Sequence, residues 1–288
     1  MTKTTAALGA RPVGPLELER FERSHPPTTG PRTSWWRIGL AIEVLVIFGV
    51  WEVAVSVIGV VRAGFLPPPT AIAGSFVDLL TGHQFLAELN YSLSNLAIGL
   101  ALACTIGIAL GVAMGWSRAV GTVAGPLVWV LYSTPKIALT PLIILWLGIG
   151  PSSKVLLVFL LAVFPVLLNT ADGVRTVDPS IIRAGRVFGA RGIPLARKII
   201  LPAMLPFVLV GLRRAIALGF IGEIMGEFIG GAHGIGNLLQ FAVYSFRMDD
   251  ALAIIVVMVI VSNVALVALD FALRRFAPWH TEGPVALS

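Results

Sequence analysis

Long apolar runs recur along this chain, separated by short stretches where proline, glycine and charge concentrate. A membrane-crossing helix needs about 20 mainly apolar residues. Six runs meet that length: 38–61, 89–114, 120–147, 154–171, 204–229 and 252–273. The third holds Pro126, Pro135 and Pro141; each proline removes a backbone donor and crowds the preceding turn, so a broken span is expected there. Between the first two runs FLPPPT is an extended breaker, after which Thr70 is placed to cap a short helix over AIAGSFVDLL whose apolar face suits a membrane interface. After the fifth run, FIGGAHGIGNLL has enough glycine for a tight re-entrant turn. No internal repeat of useful strength is visible, so the inverted-repeat signature of many secondary transporters is missing.

One polar stretch stands apart, DPSIIRAGRVFGARGIPLARKIILPAMLP at 178–206. Asp178 followed by Pro179 reads as a helix start, with a capping carboxylate and proline at the first helical position. Gly189 and Gly192 break that helix, Pro194 opens a second short one, and Pro202 and Pro206 limit its continuation before the fifth span. The expected product is a helix–turn–helix bearing Arg183, Arg186, Arg191, Arg197 and Lys198, a water-facing docking surface beside a membrane domain. Gly189 allows close approach and a sharp turn, and a side chain there is expected to wedge the joint. Arg183 and Arg186 share a helical face and suit either partner carboxylates and carbonyls or lipid headgroups.

Composition agrees with a membrane setting. The chain is 57% hydrophobic and only 12% charged, about half the charged fraction of a soluble domain, and its mean hydropathy is +0.90. The net charge of +6 points to positive-inside loops rather than to nucleic acid. Lys3, Arg11, Arg20, Arg23, Arg32, Arg37, Arg118, the 172–200 cations including Arg175, and Arg274 and Arg275 fall on one side; only Arg62, Lys154 and Arg247 fall on the other. Both termini and the 172–203 segment are thereby expected in the cytoplasm, as an even number of spans requires. Residues 1–37 are polar and lack an early apolar core, so a disordered cytoplasmic tail is expected, with a membrane-spanning region over 38–275 and a second tail over 276–288. The single cysteine, Cys104, excludes an intrachain disulfide.

The 178–206 stretch resembles the EAA loop of ABC importer permeases, the binding-protein-dependent transport inner-membrane family. That pattern runs Glu-Ala-Ala, three residues, Gly, nine residues, Ile, one residue, Leu-Pro. Gly189, Ile199, Leu201 and Pro202 fall in register, whereas Arg183, Ala184 and Gly185 occupy the Glu-Ala-Ala positions, so a base replaces the acid. Upstream, STPKIALTPLIILWLGIGPSSKVLLVFLLAVFPVLLNTADGVRTVDP is similar to the nitrate, sulfonate and taurine branch in its proline-rich third span, Trp-x-Gly-x-Gly run, Ser-Lys opening and Asn-Thr-x-x-Gly-Val exit. The resemblance covers about 62–275. It implies an all-α, MetI-like permease fold with about six membrane helices and a cytoplasmic coupling helix–turn–helix, with ATPase coupling through Arg183, Ala184, Gly185, Arg186, Gly189, Ile199, Leu201 and Pro202. It further implies a homodimer in the inner membrane, two ABC ATPase subunits that carry ATP and magnesium, an extracytoplasmic solute-binding protein and alternating access, with no cofactor on this chain. Small organic or inorganic anions such as sulfonates, taurine or nitrate are the implied cargo; thiamine-precursor-like or aromatic compounds are the other option.

Ionisable residues inside apolar runs are costly and tend to face a cavity or a partner. Glu223 and Glu227 share a helical face and read as part of the translocation path, as a gate, or as structural packing. Two carboxylates repel an anion, which disfavours direct coordination. Arg213 and Arg214 lie too far along the helix to pair with Glu223 and are placed toward a cytoplasmic vestibule. Lys136 either lends positive potential to a cavity or snorkels to the surface. Asn169 and Asp172 are expected to cap their helix or fix the 172–203 segment; Glu43 and Glu52 receive no role; His233, alone, reads as a loop histidine rather than a metal ligand. No P-loop and no clustered catalytic or metal-binding constellation is present in the sequence, so an enzyme is disfavoured and ATP hydrolysis is assigned to another chain. A secondary transporter or channel is the alternative; it has no need of the Gly-x9-Ile-x-Leu-Pro spacing.

Overall fold

The computed structural model describes residues 35–58 and 65–276. Of the expected tails at 1–37 and 276–288, residues 1–34 and 277–288 lie outside the described residues, as does the cation Arg62, whereas residues 35–37 and Phe276 belong to helices. The chain divides into two compact units at Val53/Ala54. The first is helical where it is described: α1 runs Trp35–Ser56, crossing the division, and exposes apolar side chains such as Leu45 and Val50.

In the second unit the elements are α2 (Pro69–Thr81), α3 (His83–Trp116), α4 (Arg118–Ser133), a 3-10 turn (Lys136–Leu139), α5 (Thr140–Leu147), α6 (Pro151–Arg175), α7 (Pro179–Val187), α8 (Ile193–Gly230), α9 (Ile235–Tyr244) and α10 (Met248–Phe276). Among the described residues there is no strand. By length and composition α3, α6, α8 and the apolar part of α10 each suffice to cross a membrane, and α4 with α5 adds a fifth crossing if that bent pair counts as one. The described residues therefore support four or five spans, against the six expected; residues 59–61 of the first expected span are not described.

The centre is a sandwich with α6 in the middle. On one side α3 presents Gly99, Ala103, Gly107, Gly111 and Gly115, one small residue per turn. A Cβ at Gly107 would come within 2.9 Å of Val166, and one at Gly111 within 2.6 Å of Leu167 O and Thr170. On the other side a Cβ on Gly211, Gly222 or Gly226 of α8 would meet Pro165 O, Leu157 O or Lys154 at 2.9, 3.1 and 3.2 Å, a slightly looser fit. Membrane helices gain little from burying apolar surface in one another, because lipid is as apolar as leucine. Close backbone approach between small residues recovers dispersion contact instead, and α6 accordingly buries Val158, Ala162 and Val166 completely.

Prolines act unequally. The third span bends by 75° between α4 and α5 at Thr134-Pro135, as expected of a broken span, yet Pro126 is carried inside α4 and Pro141 sits in the first turn of α5. Pro202 and Pro206 do not limit the helix before the fifth span. α8 passes through them from Ile193, and a π turn at Ala196–Ile200 directly ahead of Pro202 widens the backbone where the missing donor and the ring would otherwise force a break. The short helix α2 starts at Pro69 with Pro68 in the cap position, so Thr70, the expected cap two residues on, lies inside the helix. It packs on the start of α10, where Ser75 Oγ donates to Asp249 at 3.2 Å.

Candidate functional site

The 172–203 segment is assembled from its own local chemistry. Ser180 N donates to Asp178 Oδ1 at 2.7 Å, so Asp178 caps α7 as its sequence position requires, with Pro179 in the first turn. This hydrogen bond, with Arg183 nearby, holds the Asp178 carboxyl below its ordinary value. After α7 the chain turns through Gly189 at φ +83° and Gly192 at φ +58°, backbone that residues with a side chain rarely adopt. Nothing lies within 4 Å of a Cβ built on Gly189. Its requirement is conformational, and the expected wedging of the joint is absent there.

The crowded position is Gly185. A side chain there would collide with Ile199 and meet Leu195 at 3.1 Å, so Gly185 seats α7 on the first turns of α8. Ile199 and Gly185, fourteen residues apart in the motif, meet at this joint. Beneath it Val174, Val177, Ile200, Met204 and Val208 form an apolar cluster that anchors the joint to α6 and α8. Arg183, Ala184 and Arg186 are exposed, Leu201 is half exposed at 49%, and Pro202 is half-buried. Val187, Phe188 and Ile193 are 85%, 88% and 81% exposed beside Arg183, Arg186 and Arg191. Apolar side chains this bare, ringed by cations and backed by a fixed joint, make a surface suited to a protein partner.

Next to this segment a cavity of about 770 Å³ opens between α4, α6 and α8. Its wall includes Trp129, Tyr132, Asn169, Asp172, Arg175 and Arg214. Asn169 and Asp172, expected to act only as capping or loop-fixing residues, line this cavity. Asn169 Nδ2 also donates to Pro165 O, one turn back in its own helix, at 2.8 Å. Arg175 lies 3.9 Å from Asp172 and donates to Met114 O at 3.4 Å, tying the ends of α6 and α3. The two neighbouring arginines separate: Arg214 faces the cavity, whereas Arg213 donates to Asp270 of α10 at 2.9 and 3.1 Å.

The remaining candidates lie elsewhere. Lys136 Nζ donates to Tyr132 O at 2.8 Å and stands over the Phe164 ring at 4.6 Å, beside rather than within the cavity wall. Glu223 and Glu227 are 2% and 0% exposed and do not line the cavity. They sit at the far end of α8 in a polar cluster: Asn95 donates to Glu223 at 3.1 Å and Ser92 to Glu227 at 2.5 Å. Lys154, counted above as a loop cation, is 1% exposed; its ammonium donates to Gly150 O and Gly230 O at 3.3 and 3.4 Å. His233 is not alone, since Nδ1 lies 3.1 Å from Glu88 Oε1. Reasoning from sequence missed Glu88, Ser92 and Asn95; their spacing of four and three on one face of α3 was the available signal.

Residues 103–281 match the family described as the binding-protein-dependent transport system inner membrane component. The chain belongs to that family. It is 30% identical over 251 residues to the putative aliphatic sulfonates transport permease protein of Bacillus subtilis (strain 168), covering 87% of this chain and 90% of that one. To the taurine transport system permease protein of Escherichia coli (strain K12) it is 31% identical over 258 residues, 86% and 94% of the two chains. The formylaminopyrimidine transport permease protein of Halalkalibacterium halodurans is 30% identical over 236 residues, 82% and 93%. As a member of this family the chain is a multi-pass inner-membrane transport component with a MetI-like, all-α permease fold, rather than an enzyme.

Proposed function

We propose that this chain is the membrane-spanning subunit of an ABC importer, that two copies form the translocation pathway, and that α7 with the first turns of α8 is the handle by which two ATPase subunits move it. The observation that carries this reading is the Gly185–Ile199 joint, which presents Val187, Phe188 and Ile193 among arginines as one rigid surface. ATP and magnesium reside on the ATPases and no cofactor on this chain. Clustering of cations at the α7 end supports placing that end and both termini in the cytoplasm, with lipid headgroups within reach of the same charges. The membrane region then spans about 38–275, flanked by tails at 1–37 and 276–288.

The cargo in this reading is a small anion of the sulfonate or taurine type, delivered by an extracytoplasmic solute-binding protein. The names of two relatives support it, as does Arg214 on the cavity wall adjoining the handle. Co-expression with the ATPase and purification through a tag on this chain tests the reading. ATPase is expected to co-purify in equal amount with the wild type and at less than a tenth of that amount with Phe188→Asp. Equal recovery with Phe188→Asp would overturn the assigned surface.

A further inference from the structure

The end of the bundle opposite α7 holds an arrangement that the coupling surface does not use. The cap position of α9 is Gly234, which has no side chain with which to cap it, and the first amide donors of a helix need partners. They find them on other helices. Gly234 N donates to Glu88 Oε2 at 2.5 Å, Ile235 N to Ser92 Oγ at 3.0 Å and Gly236 N to Glu227 Oε2 at 2.7 Å. Ser92 closes the set by donating to the other oxygen of Glu227. Three successive amides, that of the cap residue and the first two of α9, are thus held by two residues of α3 and one of α8, and carboxylates at a helix N-terminus also meet the positive end of its dipole. The glycines are part of the device: a Cβ on Gly234 would fall on the Glu227 carboxylate, and one on Gly236 would come within 2.8 Å of it.

These bonds stand at the end of an unbroken helix. α8 starts at the Gly185–Ile199 joint and runs 38 residues to Gly230, about 57 Å at 1.5 Å per residue. Glu227 is fully buried one turn before that end. A displacement of the α7 joint therefore arrives at Glu227 without passing through a loop. α9 in turn packs Ile235, Leu239 and Ala242 against Phe85 of α3 and Ala251, Ile254 and Met258 of α10.

We propose that Glu88, Ser92 and Glu227 form a latch through which α8 carries α9, so that motion imposed at α7 repositions the opposite end of the bundle. They are positioning residues; none is assigned contact with cargo. The proposal rests on the ATPase-coupled reading above. Its test uses the full importer in nanodiscs, with Cys104→Ser and Leu239→Cys introduced and a membrane-impermeant maleimide as probe. Labelling of position 239, which is 8% exposed, is expected to change at least five-fold when ATP and vanadate trap the ATPases. With Ser92→Ala or Glu88→Ala that change is expected to fall below two-fold while ATP hydrolysis persists, and Glu88→Gln, which keeps an acceptor for Gly234 N, is expected to restore it. A full nucleotide-dependent change in both alanine variants overturns the latch and leaves the coupled reading intact. A wild type that shows no change although the ATPases bind and hydrolyse ATP overturns the latch too; a wild type that binds no ATPase overturns the reading beneath it.

Discussion

Two glycines in the 172–203 segment serve different physical ends. Gly189 is needed for its φ of +83°, with open space around it; Gly185 is needed for space, with Ile199 and Leu195 pressed against it. Replacing Gly189 by alanine should therefore cost roughly 1–2 kcal/mol, the strain of a left-handed residue, and leave α7 seated. Gly185→Leu should unseat α7, because the crowding falls on the joint itself. Hydrogen exchange of the α7 and α8 amides discriminates the two: local acceleration at 189–192 for the first, acceleration throughout α7 for the second. Asp178 makes a third prediction at this scale. Its carboxyl is depressed below its ordinary 3.8 by the Ser180 amide, so the cap is complete above that value and is lost only as pH falls through the lower folded one. Asp178→Ala should speed exchange at Ser180, and α7 of the wild type should show no change in structure between about pH 5 and 8.

At the scale of elements the glycine seams decide the packing. Gly107→Leu or Gly111→Leu places a large side chain between α3 and α6, where overpacking typically costs about 1–3 kcal/mol and more when backbone must move. Folded yield in detergent and thermal stability should drop sharply, whereas Gly74→Leu on α2, which meets nothing within 4 Å, should leave both unchanged. Equal stability of the two kinds of variant would refute the seam. The apolar runs behind α3, α6, α8 and α10, the break at Pro135 and the Asp178 start were legible from sequence, because hydropathy and capping act over one or two turns. The unbroken course of α8 was not legible: proline reads as a stop, and only a π turn, which carries no composition signature, lets the helix through Pro202. The polar cluster was illegible for another reason. The α3 pair Glu88 and Ser92 is far in the chain from Lys154 and from Glu227, and a lysine near a run's edge looks the same whether it meets water or Gly230 O.

At the scale of the molecule, one end of the second unit carries an exposed apolar and cationic surface beside a cavity, and the other carries a closed polar network, with α8 joining them. The motif residues Gly185 and Ile199 draw together into the joint that fixes this surface, whereas Arg183, placed where the family pattern has an acid, remains exposed. The stable part of the segment is thus its apolar seat, and its polar contacts are left to a partner. ATP-driven uptake of a sulfonate into proteoliposomes holding this chain, the ATPase and the cognate solute-binding protein, compared between wild type and Gly185→Leu, tests the central claim most directly. Uptake that requires ATP and the binding protein in the wild type, and falls at least ten-fold in a Gly185→Leu protein that still inserts, is the predicted result. Uptake by the wild type without ATPase or ATP, or undiminished uptake by Gly185→Leu, would contradict it.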